Sequence, residues 1–141
     1  MTKLELLDSW YRDVWQNGDL DAIDGYFLPG AAAQGVVPGL AVTPEECREF
    51  VSVIQQMISD LKYRFLQTVE QGDWLSVLVE MKSIANHNDK PIHLISQVMV
   101  RVENGLFAEI YNASDFLGFF EQMGQLPEDA LPLLLSGTFM R

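Results

Sequence analysis

The sequence predicts an α+β fold in which helices cover one face of a curved antiparallel sheet. Three observations predict it. Apolar residues recur at helical spacing through the first 60 residues, four strand-like runs joined by short turns fill 61–113, and one more helical segment begins near 115. With 141 residues, the chain is predicted to form a single domain over 1–141. A sheet that bends around its helices leaves a cavity between the two layers.

The N-terminal third is predicted to be helical. A first amphipathic helix is expected over 2–16, and Gly18 suits the left-handed turn that ends it. A second, short helix is expected over 20–28, followed by a short strand at 32–37 within a loop that has no charged residue. The apolar positions that predict the first helix are Leu4, Leu7, Tyr11, Val14 and Trp15.

Capping signals mark the two later helices. Thr43 precedes Pro44 and two glutamates, which is the pattern of a helix N-terminus, and the apolar face that follows carries Phe50, Val51, Ile54, Met57 and Ile58. Ser114 and Asp115 can cap a last helix over 115–123. The tail from Gln125 onwards is apolar enough to pack against the fold.

Four strand-like runs form the middle of the chain, and each pair is separated by a turn signal. The Asn104-Gly105 pair between two apolar runs is a particularly strong hairpin signal. We therefore predict four sequential antiparallel strands over 61–71, 74–87, 92–103 and 106–113.

Composition excludes several function classes. Twenty acidic residues against nine basic ones give a net charge of −11, so few Lys and Arg are present to bind nucleic acid or an anionic membrane surface. The lone Cys47 cannot form an internal disulfide, and it is interpreted as a small buried apolar residue, with a reactive thiol as the alternative. An acidic N-terminus and the lack of a long apolar run predict a cytoplasmic protein.

Three motifs in succession resemble those of a known family. They are the Trp15–Ile23 segment, the Arg101–Gly105 turn, and the Glu109–Asp115 segment followed by Gly118 and 122–124. Over about residues 8–125 the chain resembles the SnoaL-like group of the nuclear transport factor 2-like superfamily. That superfamily includes polyketide cyclases, ketosteroid isomerase, limonene epoxide hydrolase, scytalone dehydratase and pure binding modules.

The resemblance implies a particular shape. Four long strands and a short first strand form a cone-shaped sheet around three N-terminal helices, with a short C-terminal helix and an apolar pocket at the mouth. It also implies a homodimer formed through the outer face of the sheet. Alternation along the strands places several apolar residues on that face, together with His93, and such a patch is large for a monomer. The outward set is Leu78, Glu80, Lys82, Ile95, Gln97, Met99, Phe107, Glu109 and Tyr111.

The predicted pocket lining follows from the same alternation. Asn112 stands where enzymes of the superfamily often carry an inward-pointing acid, so we take it as inward, with Leu106, Ala108, Ile110 and Ser114 on the same side. The ligand-binding residues predicted in this way, with two from the first helix, are Tyr11, Trp15, Gln34, Tyr63, Phe65, Gln67, Val79, Met81, Ser83, Leu94, Ser96, Val98 and Asn112.

This lining contains no carboxylate, Lys or Arg. The resemblance sharpens the point, because epoxide hydrolases of this fold have a carboxylate and an arginine where Val79 and Met81 stand. Cyclase-like members often have a histidine where Gln34 stands. A carboxamide has no pKa that can be tuned for acid–base work. The first hypothesis is therefore a protein that binds a small apolar molecule, with neither a metal nor a cofactor.

The alternative hypothesis is a lyase, isomerase or cyclase that acts on a polyketide-like or steroid-like carbonyl compound. Asp115 or His87 would then transfer the proton, while Tyr63, Gln34 and Asn112 would hold the developing enolate oxygen. Each candidate also has a simpler interpretation, Asp115 as a helix cap and His87 as a solvated turn residue. Side chains that point into the pocket would favour the enzyme, and side chains that point to solvent would favour the binding protein.

Overall fold

The computed structural model describes residues 1–31, 33–34 and 43–139, and at 33–34 it describes the backbone alone. The elements in chain order are α1 (Lys3–Trp10), a π-helical segment (Tyr11–Gln16), a 3-10 helix (Leu20–Tyr26), β1 (Ala33–Gln34), α2 (Pro44–Met57), β2 (Ile58–Gln71), β3 (Trp74–Ala85), β4 (Pro91–Glu103), β5 (Leu106–Ser114), α3 (Phe116–Gln122) and α4 (Ala130–Leu135).

The sheet has the strand order β1-β5-β4-β3-β2. Strands β2 to β5 form an antiparallel meander, and β1 pairs with β5 in parallel, with Ala33 opposite Ile110. The predicted α+β class with a four-stranded antiparallel curved sheet is confirmed. The predicted hairpin turn is confirmed as well, because Asn104 and Gly105 have φ values of 54° and 74°. The helix predicted to reach Ile58 ends at Met57, and Ile58 is instead the first residue of β2.

The first helical segment changes its hydrogen-bond pattern halfway. After α1 the chain widens into a π-helical turn, in which Asn17 N donates to Arg12 O at 2.8 Å, five residues earlier. Gly18, with φ of 68°, ends the segment as predicted. The widening was not predicted, whereas Tyr11 and Trp15 of this segment pack in the interior as their spacing predicts.

Side-chain caps begin the later helices. Thr43 Oγ1 accepts a hydrogen bond from Glu46 N at 3.2 Å, and Asp115 Oδ1 accepts one from Gly118 N at 2.9 Å. Each cap contributes about 1 kcal/mol to helix stability. A Cβ atom at Gly118 would collide with the Asp115 carboxylate, so this cap depends on glycine at that position. The C-terminal tail forms α4, a helix that the sequence pattern did not predict.

The buried apolar residues form two clusters. The first cluster lies between the N-terminal helices and the sheet, and includes Leu7, Trp10, Tyr11, Val14, Ile23, Val77, Val98, Val100 and Phe107. The second cluster joins the end of α2 to α3 and to the neighbouring strand ends, and consists of Ile54, Ile58, Ala85, Ile92, Phe119 and Met123. Trp15 packs against both, so it lies at the junction between them.

Two irregularities in strand pairing reverse the predicted side-chain alternation. On β2 the pairing register shifts between Phe65 and Gln67, and Gln67, which was predicted to point inward, is exposed. On β5 the pairing register shifts where the strand faces Arg101 and Val102 of β4. Phe107, which was predicted to point outward, is therefore fully buried. An extra residue in one strand moves every later side chain to the other face, so simple alternation fails beyond it.

Among the residues that the structure describes, no helix combines the length and the apolar character required to cross a bilayer.

Candidate functional site

A cavity of about 70 Å³ lies where the two core clusters meet. Its wall is built by the helical layer on one side and by the inner face of the sheet on the other. The described lining residues are Trp10, Tyr11, Trp15, Cys47, Phe50, Ile54, Ile58, Leu61, Met81, Ser83, Ile92, Leu94, Ile110, Asn112, Ser114, Phe116 and Phe119.

Aromatic side chains from three separate elements meet along one wall of the cavity. Trp15 of the π-helical segment meets Phe50 of α2 edge to face, with ring centroids 6.2 Å apart. Phe50 meets Phe116 of α3 in the same way at 6.0 Å. All three residues are only partly buried. These three rings therefore form one continuous aromatic wall of the cavity.

The opposite wall carries the polar side chains of the lining, Ser83, Asn112 and Ser114. Ser114 Oγ donates to Asn112 Oδ1 at 3.1 Å, and it also lies 2.7 Å from Ser96 Oγ, which is 1% exposed. Ser96 and Ser114 are directly opposite each other on β4 and β5. Asn112, Ser114 and Ser96 therefore form a hydrogen-bonded patch beside an otherwise largely apolar surface.

The described part of the cavity surface is uncharged at neutral pH. Among the described lining residues there is no carboxylate, imidazole, ammonium or guanidinium group. Burial raises the pKa of the Tyr11 phenol, and it raises the pKa of the Cys47 thiol from 9.0 to about 11. Both groups therefore stay protonated, and Cys47 is buried as one of the two sequence interpretations expected.

The predicted pocket residues are divided by the structure into two groups. Tyr11, Trp15, Met81, Ser83, Leu94 and Asn112 lie on the cavity wall. Val79 and Val98 instead pack inside the first cluster, and Ser96 lies behind the wall against Ser114.

Other predicted pocket residues lie away from the cavity. Tyr63 and Phe65 pack against Tyr11, and Tyr63 Oη donates to Asp8 Oδ1 at 2.7 Å. Gln67 is exposed, for the reason given above. The side chain of Gln34 lies outside the described part of the structure.

Neither candidate for proton transfer is part of the cavity wall. Asp115 is exposed at the N-terminus of α3, where it caps the helix. His87 is exposed in the turn after β3, beside Gly124 and a surface groove that includes Met57 and Met123. Among the described residues, no three His, Cys, Asp or Glu side chains are grouped so that they could hold a metal ion.

The residues that sequence reasoning missed are those whose apolar character fits a packed core equally well. Phe50, Ile54, Phe116 and Phe119 lie on predicted helix faces, and Ile92 and Leu61 lie on predicted strands. Their spacing shows that they are inward-facing, but a wall and a filled core have the same periodicity. No local signal separates the two, because the empty space depends on how distant elements meet.

Comparison with known proteins gives a family and a fold. The profile of the SnoaL-like domain family matches residues 7–110. The comparison with curated proteins finds no match.

Several solved structures share the architecture. IdmH, a candidate polyketide cyclase from Streptomyces antibioticus, has a TM-score of 0.75 at 17% identity, over 88% of this chain and 99% of that one. A hypothetical protein from Catenulispora acidiphila with a ketosteroid isomerase-like fold, in complex with trimethylamine, has a TM-score of 0.74 at 15% identity, over 91% and 98%. AclR, a candidate hydroxylase from Streptomyces galilaeus, has a TM-score of 0.74 at 12% identity, over 89% of this chain and 100% of that one. At such identities the likeness concerns the fold alone.

Proposed function

The chain belongs to the SnoaL-like domain family, and from this premise we propose that it binds a small apolar molecule in the cavity between sheet and helices. The observation that carries the proposal is the chemistry of the wall. Its described residues are aromatic and aliphatic apart from a compact neutral polar patch that includes Asn112 and Ser114. An apolar surface that binds, with a few polar groups that orient, is the usual layout of a small-molecule site.

Binding accounts for the geometry better than acid–base catalysis does. General acid–base catalysis requires a titratable group within hydrogen-bond reach of the substrate. Asp115 and His87 are both exposed and lie outside the described lining, while Tyr11 and Cys47 have raised pKa values that keep them protonated at neutral pH. A lyase, isomerase or cyclase reaction carried by Asp115 or His87 would need that side chain to reach the cavity.

The volume limits the size of the ligand. An engineered protein cavity that binds benzene measures about 150 Å³, roughly twice the 70 Å³ here. A single small ring therefore requires the cavity to widen to about twice this volume. A polyketide-like or steroid-like compound would require Trp15, Phe50 and Phe116 to move apart, and their partial burial is compatible with such movement.

The proposal can be tested with a cavity-filling variant. In Leu94→Trp the larger indole occupies the space next to Met81, whereas in Val53→Trp the same group lies on the exposed face of α2. The apolar probe is methylenecyclopentane, and its binding to each protein is measured by two-dimensional NMR. We expect saturable binding to the wild type and to Val53→Trp, and at least tenfold weaker binding to Leu94→Trp. Equal binding by all three proteins would refute the cavity as the site.

We also propose that two copies of the chain associate through the outer face of the sheet. Val69, Ser76, Met99 and Tyr111 lie in one cross-strand row on that face, where Val69 is 61% and Met99 42% exposed. Lys62 and Lys82 are paired toward one end of the face, and at the other end Arg101 forms ion pairs with Glu103 and Glu109. The apolar row at the centre of the face therefore supports the proposal, because a two-fold axis would bring this row against the same row of the second copy.

Sedimentation of the wild type should therefore show a dimer. Met99→Glu places a charge in the centre of the face and should give a monomer, whereas Val53→Glu, on an exposed helix position, should leave the dimer intact. A wild type that sediments as a monomer would refute this arrangement and leave the cavity proposal untouched.

A further inference from the structure

This inference rests on the proposed function and concerns the size of ligand that the cavity admits. We propose that Gln122 is a specificity-determining residue, because its side chain holds α3 on the free edge of β4 and thereby keeps one wall of the cavity in place. The cavity then takes an apolar molecule of a single small ring and discriminates against apolar molecules of two fused rings.

Strand β4 has a free edge beside the cavity. Strand β5 ends at Ser114, which lies opposite Ser96, whereas β4 begins five residues earlier, at Pro91. Among the strands that the structure describes, residues 91–95 therefore pair with β3 on one side only. A free strand edge presents backbone N–H and C=O groups that need another partner.

Gln122 supplies that partner through its side chain. Its Oε1 accepts a hydrogen bond from His93 N at 2.6 Å, and its Nε2 donates one to His93 O at 2.8 Å. A carboxamide has the same donor and acceptor as a peptide group, so it takes the place of one residue of an additional strand. Near the start of the helix, Asp115 N donates to Ile95 O at 3.4 Å. Hydrogen bonds near both ends thus hold α3 along this edge.

The helix that is held in this way carries part of the cavity wall. Phe116 and Phe119 of α3 line the cavity, and Ile92 and Leu94, the neighbours of His93 on β4, line it from the sheet. The contact between Gln122 and β4 therefore fixes the distance between two walls of the same cavity. If α3 moves away from β4, the cavity widens.

Helix α3 is less firmly anchored than α2, the other helix in this part of the wall. Within its seven residues only Phe119 is buried, whereas α2 has fourteen residues and buries Cys47, Val51 and Ile54. A segment with few buried contacts opens at a low free-energy cost. The two hydrogen bonds of Gln122 are therefore a large share of what holds α3 in place.

The small volume of the cavity turns this attachment into size selection. The cavity of about 70 Å³ must widen even for one ring. Rotation of the partly buried Phe116 ring provides such widening, whereas two fused rings require the backbone of α3 to move. A ligand that binds only the displaced state has its affinity reduced by the fraction of molecules in that state. Gln122 lowers this fraction, so it disfavours the larger ligand.

The experiment compares a one-ring probe, methylenecyclopentane, with a two-ring probe, tetralin, by NMR titration. Gln122→Met keeps the length of the side chain and removes both hydrogen bonds. We expect it to bind tetralin about tenfold more tightly than the wild type does, and methylenecyclopentane with about the same affinity. Gln122→Glu should lie between the two, since a carboxylate accepts from His93 N but has no proton to donate to His93 O. The control is Gln125→Met, at an exposed position after α3, and it should match the wild type.

Hydrogen exchange tests the attachment of α3 without a ligand. The His93 amide is bonded to Gln122, and alternation along the strand directs the next amide, that of Leu94, toward β3. In Gln122→Met the His93 amide should exchange about tenfold faster, while the Leu94 amide exchanges as in the wild type. Circular dichroism checks that each variant is folded.

The other outcomes overturn the proposal in distinct ways. Unchanged exchange at His93 would show that Gln122 does not hold α3, and the proposed binding function would stand. Faster exchange at both His93 and Leu94 would make Gln122 a residue that only stabilises the sheet. Faster exchange at His93 alone, without tighter binding of tetralin, would mean that α3 does not set the ligand size. If the wild type binds neither probe, the binding function itself is refuted, and the size selection with it.

Discussion

The two core clusters differ in how completely they are packed, although the same residue types build both. Val77, Val98, Val100 and Phe107 of the first cluster are each 0% exposed, and Trp10 contacts Tyr26, Phe27 and Phe107 edge to face. The second cluster is much smaller, and the partly buried Phe50 and Phe116 beside it line the cavity. The first cluster forms most of the core, and the cavity in which we propose that a ligand binds lies where it meets the second.

The physical reason for the difference lies in what covers the sheet. Over the first cluster the sheet is covered by α1 and the π-helical segment, which belong to one continuous helical stretch. Over the second cluster, the wall is assembled from two separate helices, α2 and α3, which meet through Phe50 and Phe116. The cavity lies between these helices and the inner face of the sheet.

The largest expected effect tests the packed side of this comparison. Phe107→Ala removes a fully buried ring that Trp10, Tyr26 and Phe27 surround. We expect the free energy of unfolding to fall by about 3–5 kcal/mol, since the space cannot collapse. Urea denaturation measures it. A loss below about 1 kcal/mol would mean that this cluster is no more tightly packed than the second one.

The same truncation on the open side should cost much less. Phe116 is partly buried and already borders empty space, so Phe116→Ala leaves fewer contacts unmade. We expect a loss of about 1 kcal/mol, well below that of Phe107→Ala. Urea denaturation again gives the value, and equal losses for the two phenylalanines would remove the distinction between the clusters.

The third prediction concerns how α3 is held beside the second cluster. Asp115→Ala removes the cap to Gly118 N and should cost about 1 kcal/mol. Asp115→Asn retains a capping oxygen and should lower the free energy of unfolding by only about a few tenths of a kcal/mol. Thermal unfolding of both variants measures this order. If both variants are equally destabilised, the carboxylate charge, rather than its hydrogen bond, stabilises the helix.

The smallest effect is a pH dependence at the rim of the first cluster. The hydroxyl of Tyr26 donates to Asp13 Oδ2 at 2.8 Å, and this bond, with further help from Arg12, holds the pKa of Asp13 below its usual value of 3.8. A lowered folded-state pKa stabilises the protein above the unfolded-state pKa, and that stabilisation is lost as the pH falls through the folded-state value.

Stability should therefore decrease as the pH falls from about 5 to below the usual Asp13 pKa of 3.8, and Tyr26→Phe should make that decrease shallower. Chemical denaturation at a series of pH values measures it, with Asp13→Asn as the matched variant that removes the titrating group. A decrease of the same steepness in all three proteins would assign the acid sensitivity to other carboxylates.

Local chemistry alone determined much of this molecule. The order of helices and strands, the turn at Asn104 and Gly105, the caps at Thr43 and Asp115 and the end of the first helical segment at Gly18 were all predicted, because each depends on residues that are close in sequence. The inward positions of Met81, Ser83, Leu94 and Asn112 followed as well, since alternation holds along an uninterrupted strand.

Only the tertiary structure decided the rest. The bulges that expose Gln67 and bury Phe107 arise from how neighbouring strands fit together, and one extra residue reverses the faces beyond it. The cavity at the junction of the two clusters depends on contacts between elements that are distant in sequence. A cavity is space that no residue fills, so a pattern of residues predicts its wall without predicting its volume.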